Sequence, residues 1–212
     1  MKLSKTQALI EEIRNGKMVI LIDDADRENE GDLVFAAEVV KPELINFMIK
    51  EARGLVCLAM APELVEKLEL APMVSLERRP QQTAFTVSID AASGISSGAS
   101  AADRAKTIWT ATCSNAKPDD LVSPGHVFPL KARKRGVLER PGHTEGSVDL
   151  VRLAGLRPAA VICEVLNEDG SMSRGEELMK FADKHQLKIG SIADLIAYLN
   201  LNEINLNNEI NH

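Results

Sequence analysis

The chain has 212 residues, 45% of them hydrophobic, and a formal net charge of −6. That length supports one sizeable core, and the acidic balance argues against nucleic acid as a partner. No apolar run is long enough to cross a bilayer, and residues 1–16 are polar and amphipathic, unlike a secretory leader. Cys57, Cys113 and Cys163 are odd in number and far apart, with no Cys-x-x-Cys pair, as expected of reduced, buried thiols in the cytoplasm.

Ser4 is the expected N-cap of a first helix, which Gly16 stops. A strand over 18–22 then leads into Asp23-Asp24-Ala25-Asp26-Arg27-Glu28-Asn29-Glu30-Gly31-Asp32, where six of ten residues are carboxylates and one is arginine. A second strand over 33–37 follows, so this run is a connection inside a domain and not a tail. Two carboxylates about 5 Å apart repel by roughly 1 kcal/mol in water and by a few kcal/mol at a protein surface. Crowding them calls for full solvation, a cation or a cationic substrate. Magnesium and manganese are commonly held by one or two carboxylates together with waters and substrate oxygens. Without metal and substrate, residues 23–32 are expected to be mobile.

A helix is expected over 42–52, a strand over 55–59 and a short helix over 62–68. Residues 71–82, with two prolines and two adjacent arginines, read as a long loop of the kind that is often functional. Phe85 to Asp90 alternates with period two and reads as a strand. Ser100 is placed to cap a helix over 101–112, with Asp103 at its third position. Residues 117–125 read as a turn-rich connection, and 127–132 as a strand. Arg140-Pro141-Gly142 opens a helix near Thr144 that ends before Gly155. A strand over 159–165 and the turn Glu168-Asp169-Gly170 precede a helix to His185, for which Ser173 is the expected cap. A short strand over 188–190 and a helix over 192–200 complete a single domain, 1–200. Residues 201–212 are an asparagine-rich tail, expected to be a frayed helical extension or a disordered end. Strands and helices mix without strict βαβ alternation, which favours a mixed sheet with helices packed on it.

Four histidines are present. His126 and His143 each follow a Pro/Gly turn, His185 suits the dipole at a helix C-terminus, and His212 is the last residue. Around His143, an arginine, a threonine hydroxyl and the free N–H groups of a helix start form a ready phosphate site. A histidine in that turn is placed to reach a metal while its neighbours hold a phosphate. Glu164 stands inside an apolar strand. It either faces solvent or points into a pocket, where desolvation would raise its pKa and suit proton transfer. No Gly-x-Ser-x-Gly elbow, Walker loop or Gly-x-Gly-x-x-Gly fingerprint is present.

The acidic run, Phe85-Thr86-Val87, Ser100-Ala101-Ala102-Asp103-Arg104, Pro124-Gly125-His126-Val127-Phe128-Pro129, Arg140-x-Gly142-His143-Thr144-Glu145 and Cys163-Glu164 occur in that order. Together they closely resemble the 3,4-dihydroxy-2-butanone-4-phosphate synthase family of riboflavin biosynthesis, over about residues 5–198. The resemblance implies a lyase that converts D-ribulose 5-phosphate to L-3,4-dihydroxy-2-butanone 4-phosphate and formate with Mg²⁺ or Mn²⁺. It also implies an α/β fold, a three-layer α-β-α sandwich, and a cytoplasmic homodimer with its sites at the subunit interface.

By the same resemblance Glu28 and His143 are metal ligands. Arg27, Glu28, Asp32, Glu164 and the segment Arg140-Pro141-Gly142-His143-Thr144 contact substrate, with Arg140 and Thr144 at the phosphate. His126 and Glu164 are essential for catalysis, and Glu30 or Asp32 takes the first proton. The chain departs from the family pattern at Ser75-Leu76-Glu77-Arg78-Arg79-Pro80, at Arg135-Gly136, and at Gly146 where alanine is usual. The family domain also occurs fused to a GTP cyclohydrolase II, for which this chain lacks room, so the monofunctional form is expected. A different metal-dependent sugar-phosphate isomerase or aldolase, and a non-catalytic regulator that binds metal and phosphate, are the competing readings.

Overall fold

Alternating burial along the strands fixes the architecture. In the computed structural model of the chain, residues 3–74 and 83–210 are described, with side chains to residue 201. Of the expected loop over 71–82, residues 75–82 lie outside the described residues. The strands are β1 (Val19–Ile22), β2 (Gly31–Ala36), β3 (Cys57–Met60), β4 (Ile89–Ala91), β5 (Leu121–Lys131), β6 (Ala159–Glu164) and β7 (Lys188–Ser191). They form one seven-stranded mixed sheet in the order β4-β5-β3-β6-β2-β1-β7. The helices are α1 (Thr6–Arg14), α2 (Pro42–Phe47, continued by a π turn Met48–Ala52), α3 (Pro62–Lys67), α4 (Ala101–Thr112), α5 (His143–Leu153), α6 (Glu176–His185) and α7 (Ile192–Ile210).

Side chains on a strand alternate between faces, and the two cores follow this rule. Leu33, Phe35, Leu58, Val161 and Cys163 point to one face and pack with Ile45, Ile108 and Leu178 from α2, α4 and α6. Val34, Ala36, Cys57, Ala59, Ala160 and Ile162 point to the other and pack with Ile13, Val148, Val151 and Leu195 from α1, α5 and α7. The expected three-layer α-β-α sandwich is therefore the observed one. Fully burying an apolar side chain contributes about 1.5–3 kcal/mol, and both faces of the central strands are buried in this way.

Four local expectations differ from the structure. Ser4 does not cap α1: Lys5 occupies that position, and the Ser4 N–H donates to the Ile189 carbonyl at 2.8 Å. Ser173 does not cap α6, because its N–H donates to the Val165 carbonyl and extends the pairing beyond β6; the helix begins after Gly175. In both cases a free strand edge outcompetes the cap. The segment from Phe85 to Ser88 makes isolated bridges with Pro72 and Leu130 in place of a regular ladder, which begins only at Ile89.

The largest difference is β5, which begins at Leu121 inside the expected turn-rich connection. Asp90 pairs with Val122 while Ile89 pairs with Val127, so the intervening residues on β5 bulge out of the ladder. Bulges tolerate proline and re-aim side chains. A Cβ on Gly125 would lie 2.0 Å from the Ile89 carbonyl carbon, so only glycine permits this close approach.

At α5, Gly146 faces Leu21, and an added Cβ would meet its Cδ2 at 2.6 Å. The glycine therefore trades helix propensity, up to about 1 kcal/mol, for close packing of α5 on β1.

Candidate active site

The β2–β6 register creates the centre of the site. These strands are antiparallel, and Asp32 lies directly opposite Glu164. The alternation that sends Val34 and Ile162 toward α5 sends Asp32 and Glu164 to the same side. Cys57 at the start of β3 shares that face, and the N-terminus of α5 brings His143 and Thr144 over it. Arg27, Glu28, Glu30, Asp32, Arg140, His143, Thr144 and Glu164 thus line one cavity of about 180 Å³. That is below the roughly 300–1,000 Å³ of sites for drug-sized ligands, and it suits a small polar metabolite. Leu55, Cys57, Thr83, Phe85, Leu130 and Ile162 form the rest of its wall.

Asp23 organises the acidic loop. Its side chain is fully buried, with one oxygen accepting from the Glu30 N–H and the other from the Glu28 N–H and the Arg27 guanidinium, at 2.8–3.0 Å. Asp24 accepts from the Asp26 N–H, and its carbonyl accepts from Arg27 and Asn29. These bonds hold the loop so that Glu28 and Glu30 join Asp32 at the cavity.

Glu28 faces His143 with Oε2 3.8 Å from Nδ1, beyond a direct hydrogen bond. The imidazolium opposite it, opposed by burial and helped by Arg27, holds Glu28 down to about 2. Burial pulls His143 down, but the carboxylates of Asp32, Glu28 and Asp23 outweigh it and raise the imidazole to about 9. Burial pushes Asp32 up to about 7, with Glu164, Glu28 and Glu30 adding to the rise against the pull of His143. His143 Nε2 and Asp32 Oδ1 are buried with no hydrogen-bond partner among the described residues.

A buried imidazole beside a glutamate, with further carboxylates at hand, can hold a divalent cation, the carboxylate oxygens being the ligands that suit a hard ion and the imidazole nitrogen a softer addition. Ligand atoms of Asp23, Glu28 and His143 all lie within 4.8 Å of one another. Asp23 already accepts three hydrogen bonds, which leaves Glu28 and His143 as the pair suited to a metal.

The other end of the cavity is cationic. Arg140 is buried, with Nη1 2.6 Å from Glu145 Oε2 and Nη2 3.2 Å from Thr83 Oγ1. Glu145 also accepts the Arg133 N–H, so its carboxylate is fixed and fixes the arginine in turn. Gly142 precedes the helix because a Cβ there would lie 2.2 Å from Arg140 Nη1. Thr144 and the first N–H groups of α5, which have no acceptor within the helix, face the same space.

Glu164 Oε2 accepts the Leu55 N–H at 2.8 Å. A Cβ on Gly54 would lie 2.7 Å from that carboxylate and 2.3 Å from the Glu164 carbonyl oxygen. A Gly54→Ala variant is expected to fold and to lose activity about 10²-fold through displacement of Glu164, a typical cost of roughly 1 Å of misplacement. Unchanged turnover in a folded variant would show that the placement of Glu164 is irrelevant.

His126 does not line this cavity. The β5 bulge carries it at the β4 edge of the sheet, half exposed, with Nδ1 2.8 Å from Asp90 Oδ2 and its backbone N–H donating to Asp90 Oδ1. The loop carrying Gly98 packs on this pair and is held by Asp103, which accepts from Ser96 and Gly98.

A family profile described as 3,4-dihydroxy-2-butanone 4-phosphate synthase matches residues 7–198. The chain belongs to that family. It is 60% identical over 196 residues to the 3,4-dihydroxy-2-butanone 4-phosphate synthase of Neisseria meningitidis serogroup B, covering 92% of this chain and 54% of that protein. The synthase of Shewanella halifaxensis is 50% identical over 196 residues, covering 92% of each chain. A crystal structure of a 3,4-dihydroxy-2-butanone 4-phosphate synthase in complex with two magnesium ions superposes with a TM-score of 0.90 at 40% identity, covering 95% of this chain and 99% of that one. The chain spans about half the length of several of the curated relatives that it matches.

Around this synthase-family site, Asp90, Thr83 and Arg174 carry no expectation from the sequence, and Glu145 stands in a family motif without an assigned role. Glu145 carries the clearest local signal, an opposite charge five residues after Arg140. Asp90 and Arg174 act on partners 36 and 144 residues away, and no local pattern announces such pairs.

Proposed function

We propose that the chain converts D-ribulose 5-phosphate to L-3,4-dihydroxy-2-butanone 4-phosphate and formate, a step of riboflavin biosynthesis, with Mg²⁺ or Mn²⁺ and in the cytoplasm. The observation that carries this reading is one small cavity with a Glu28–His143 pair and two facing carboxylates at one end and Arg140 with the α5 N-terminus at the other.

In this reading Arg140, Thr144 and the first N–H groups of α5 hold the phosphate, which fixes which carbons reach the carboxylates. Glu28 and His143 hold the divalent ion. When bound, that ion supplies Lewis-acid stabilisation for developing enediolate and carbonyl oxygens. The reaction forms an enediol, loses water, shifts the carbon skeleton and expels formate, so protons move at neighbouring carbons. Asp32, raised to about 7, is matched to accept and return a proton near neutral pH. Glu164 opposite it, and Glu30 on the loop, are the further acid/base groups at the same wall. Arg27 is braced by Asp23 and Glu28 and closes the loop side of the cavity. The test is formate release from ribulose 5-phosphate with and without a chelator; a purified protein that releases none refutes the assignment.

We further infer that the working unit is a homodimer in which His126 of one copy serves the cavity of the other. That His126 does not line its own copy's cavity supports this, as do the exposed Trp109 and Val122 on the neighbouring α4 and β5. Mixing two inactive variants, His126→Asn and Glu164→Gln, and allowing subunits to exchange is expected to restore about a quarter of normal activity, because mixed dimers keep one intact site. No recovery on verified exchange would place both residues in one copy's site.

A further inference from the structure

Arg174 stands outside every motif that leads to the site, yet it touches the acidic loop directly. One guanidinium nitrogen, Nη2, donates to Glu30 Oε1 at 2.9 Å and to the Glu28 carbonyl oxygen at 3.3 Å. The loop's other cationic contacts are accounted for, since Arg27 pairs with Asp23 and Glu28, and His143 faces Glu28. Among the described residues, Arg174 is the cation that pairs with Glu30.

The backbone beneath Arg174 is held before it reaches the loop. Val165 donates to the Gly31 carbonyl, and Ser173 donates back to Val165, which ties this segment to the start of β2. The Arg174 N–H donates to Glu177 Oε2, which also accepts from the Asn167 amide. Asn167 and Ser171 close the intervening turn, with Asp169 accepting from Ser171. With the backbone fixed, the freedom lost on binding is that of the arginine side chain itself.

Glu30 borders two spaces. One is the cavity it shares with Asp32 and Glu164; the other is a groove lined by Ile22, Asn29, Leu178 and Met179 between the loop and α6. A carboxylate on that divide can turn either way, and the contact with Arg174 fixes its direction.

We propose that Arg174 is a positioning residue: it clips the acidic loop to the β6–α6 turn and aims the Glu30 carboxylate at the cavity. This rests on the proposed function for its kinetic consequence, and not for the clip itself. Arg174 contacts the loop through charge-assisted bonds, and losing them should leave loop ordering to be driven by substrate binding.

The test combines kinetics with hydrogen exchange on the full chain. Arg174→Ala is expected to lower kcat/KM for ribulose 5-phosphate roughly tenfold, mainly through KM, with an unchanged melting temperature and faster amide exchange confined to 23–32. Arg174→Lys, which keeps the charge on a shorter side chain, should recover part of the loss. In a Glu30→Gln background Arg174→Ala should add less than a twofold loss. Wild-type kinetics and exchange in Arg174→Ala, or an undiminished tenfold loss in the Glu30→Gln background, would overturn the proposal. A general defect would instead lower the melting temperature and the active fraction at constant KM; the lysine variant, read by the same two measurements, then decides. If the unaltered protein releases no formate, the function fails, while exchange at 23–32 still decides the clip.

Discussion

An Asp32→Asn variant is expected to release formate about 10²–10⁴-fold more slowly than the unaltered protein, the usual worth of a positioned acid/base group, while folding at least as stably. Asp32 is buried, one of its oxygens is orphaned, and burial raises it to about 7. The native state therefore binds the proton more tightly than the unfolded chain, where aspartate titrates near 4. By linkage, stability associated with Asp32 is fully present below pH 4 and is lost as pH rises through about 7. The interval corresponds to a cost of the order of 4 kcal/mol above neutrality in the metal-free protein. Asparagine keeps the shape and removes the buried charge, so its denaturation midpoint above pH 7 should match or exceed that of the unaltered protein. Activity within tenfold of normal would remove Asp32 from proton transfer and leave Glu30 as the candidate.

Divalent-metal binding to the free protein should strengthen by about tenfold per pH unit as pH rises toward 9, and then level off. A metal takes neutral imidazole and must displace the proton. His143 holds that proton up to about 9, because Asp32, Glu28 and Asp23 outweigh the effect of its burial. Glu28 is already ionised above about 2 and adds no pH dependence of its own near neutrality. From pH 9, where His143 is half protonated, to pH 7 the affinity should thus fall about 50-fold, or about 2.3 kcal/mol, with close to one proton released per ion at pH 7. Titration calorimetry with Mg²⁺ or Mn²⁺ in buffers of different ionisation enthalpy measures both quantities. An affinity independent of pH between 7 and 9 would exclude His143 as a ligand, and activity that survives exhaustive chelation would exclude the metal itself.

Much of this site can be read from the sequence because its chemistry is concentrated in short runs. The acidic segment and Arg140–Thr144 each carry several functional groups within one turn, and the apolar strand around Glu164 marks that residue as unusual. The alternation along β2 and β6 gives two faces but cannot say which one a cavity uses. That choice follows from the start of α5, which the local Arg140-Pro141-Gly142 turn marks, and from the Asp32–Glu164 register, which pairs residues more than a hundred positions apart. The same limit explains the missed partners. Arg174 reaches Glu30, and Asp90 holds His126, across distances in sequence that no periodicity bridges. Pro124-Gly125 has the composition of a turn and becomes a bulge because the edge strand β4 supplies Ile89 and Asp90 as partners on either side of it. Ser4 and Ser173 have the composition of caps and donate to strand edges, because a local rule cannot see an edge that forms elsewhere in the chain.

The strand order carries a consequence for biosynthesis of the molecule itself. β2 lies between β1 and β6, β1 lies between β2 and β7, and β3 reaches the rest of the sheet through β6. On the ribosome, β1 and β2 can pair as they emerge, but the other edge of β2 and the facing edge of β3 wait for residues 159–164 before the sheet's centre can close. Such long-range pairing slows folding and leaves hydrophobic strands open to wrong partners in the interval. The acidic loop, whose carboxylates are crowded at the start of β2, keeps one end of that waiting strand charged and hydrated until Glu164 arrives beside Asp32. Nascent chains stalled before β6 should accordingly engage chaperones, and the facing pair of carboxylates should be among the last features of the molecule to form.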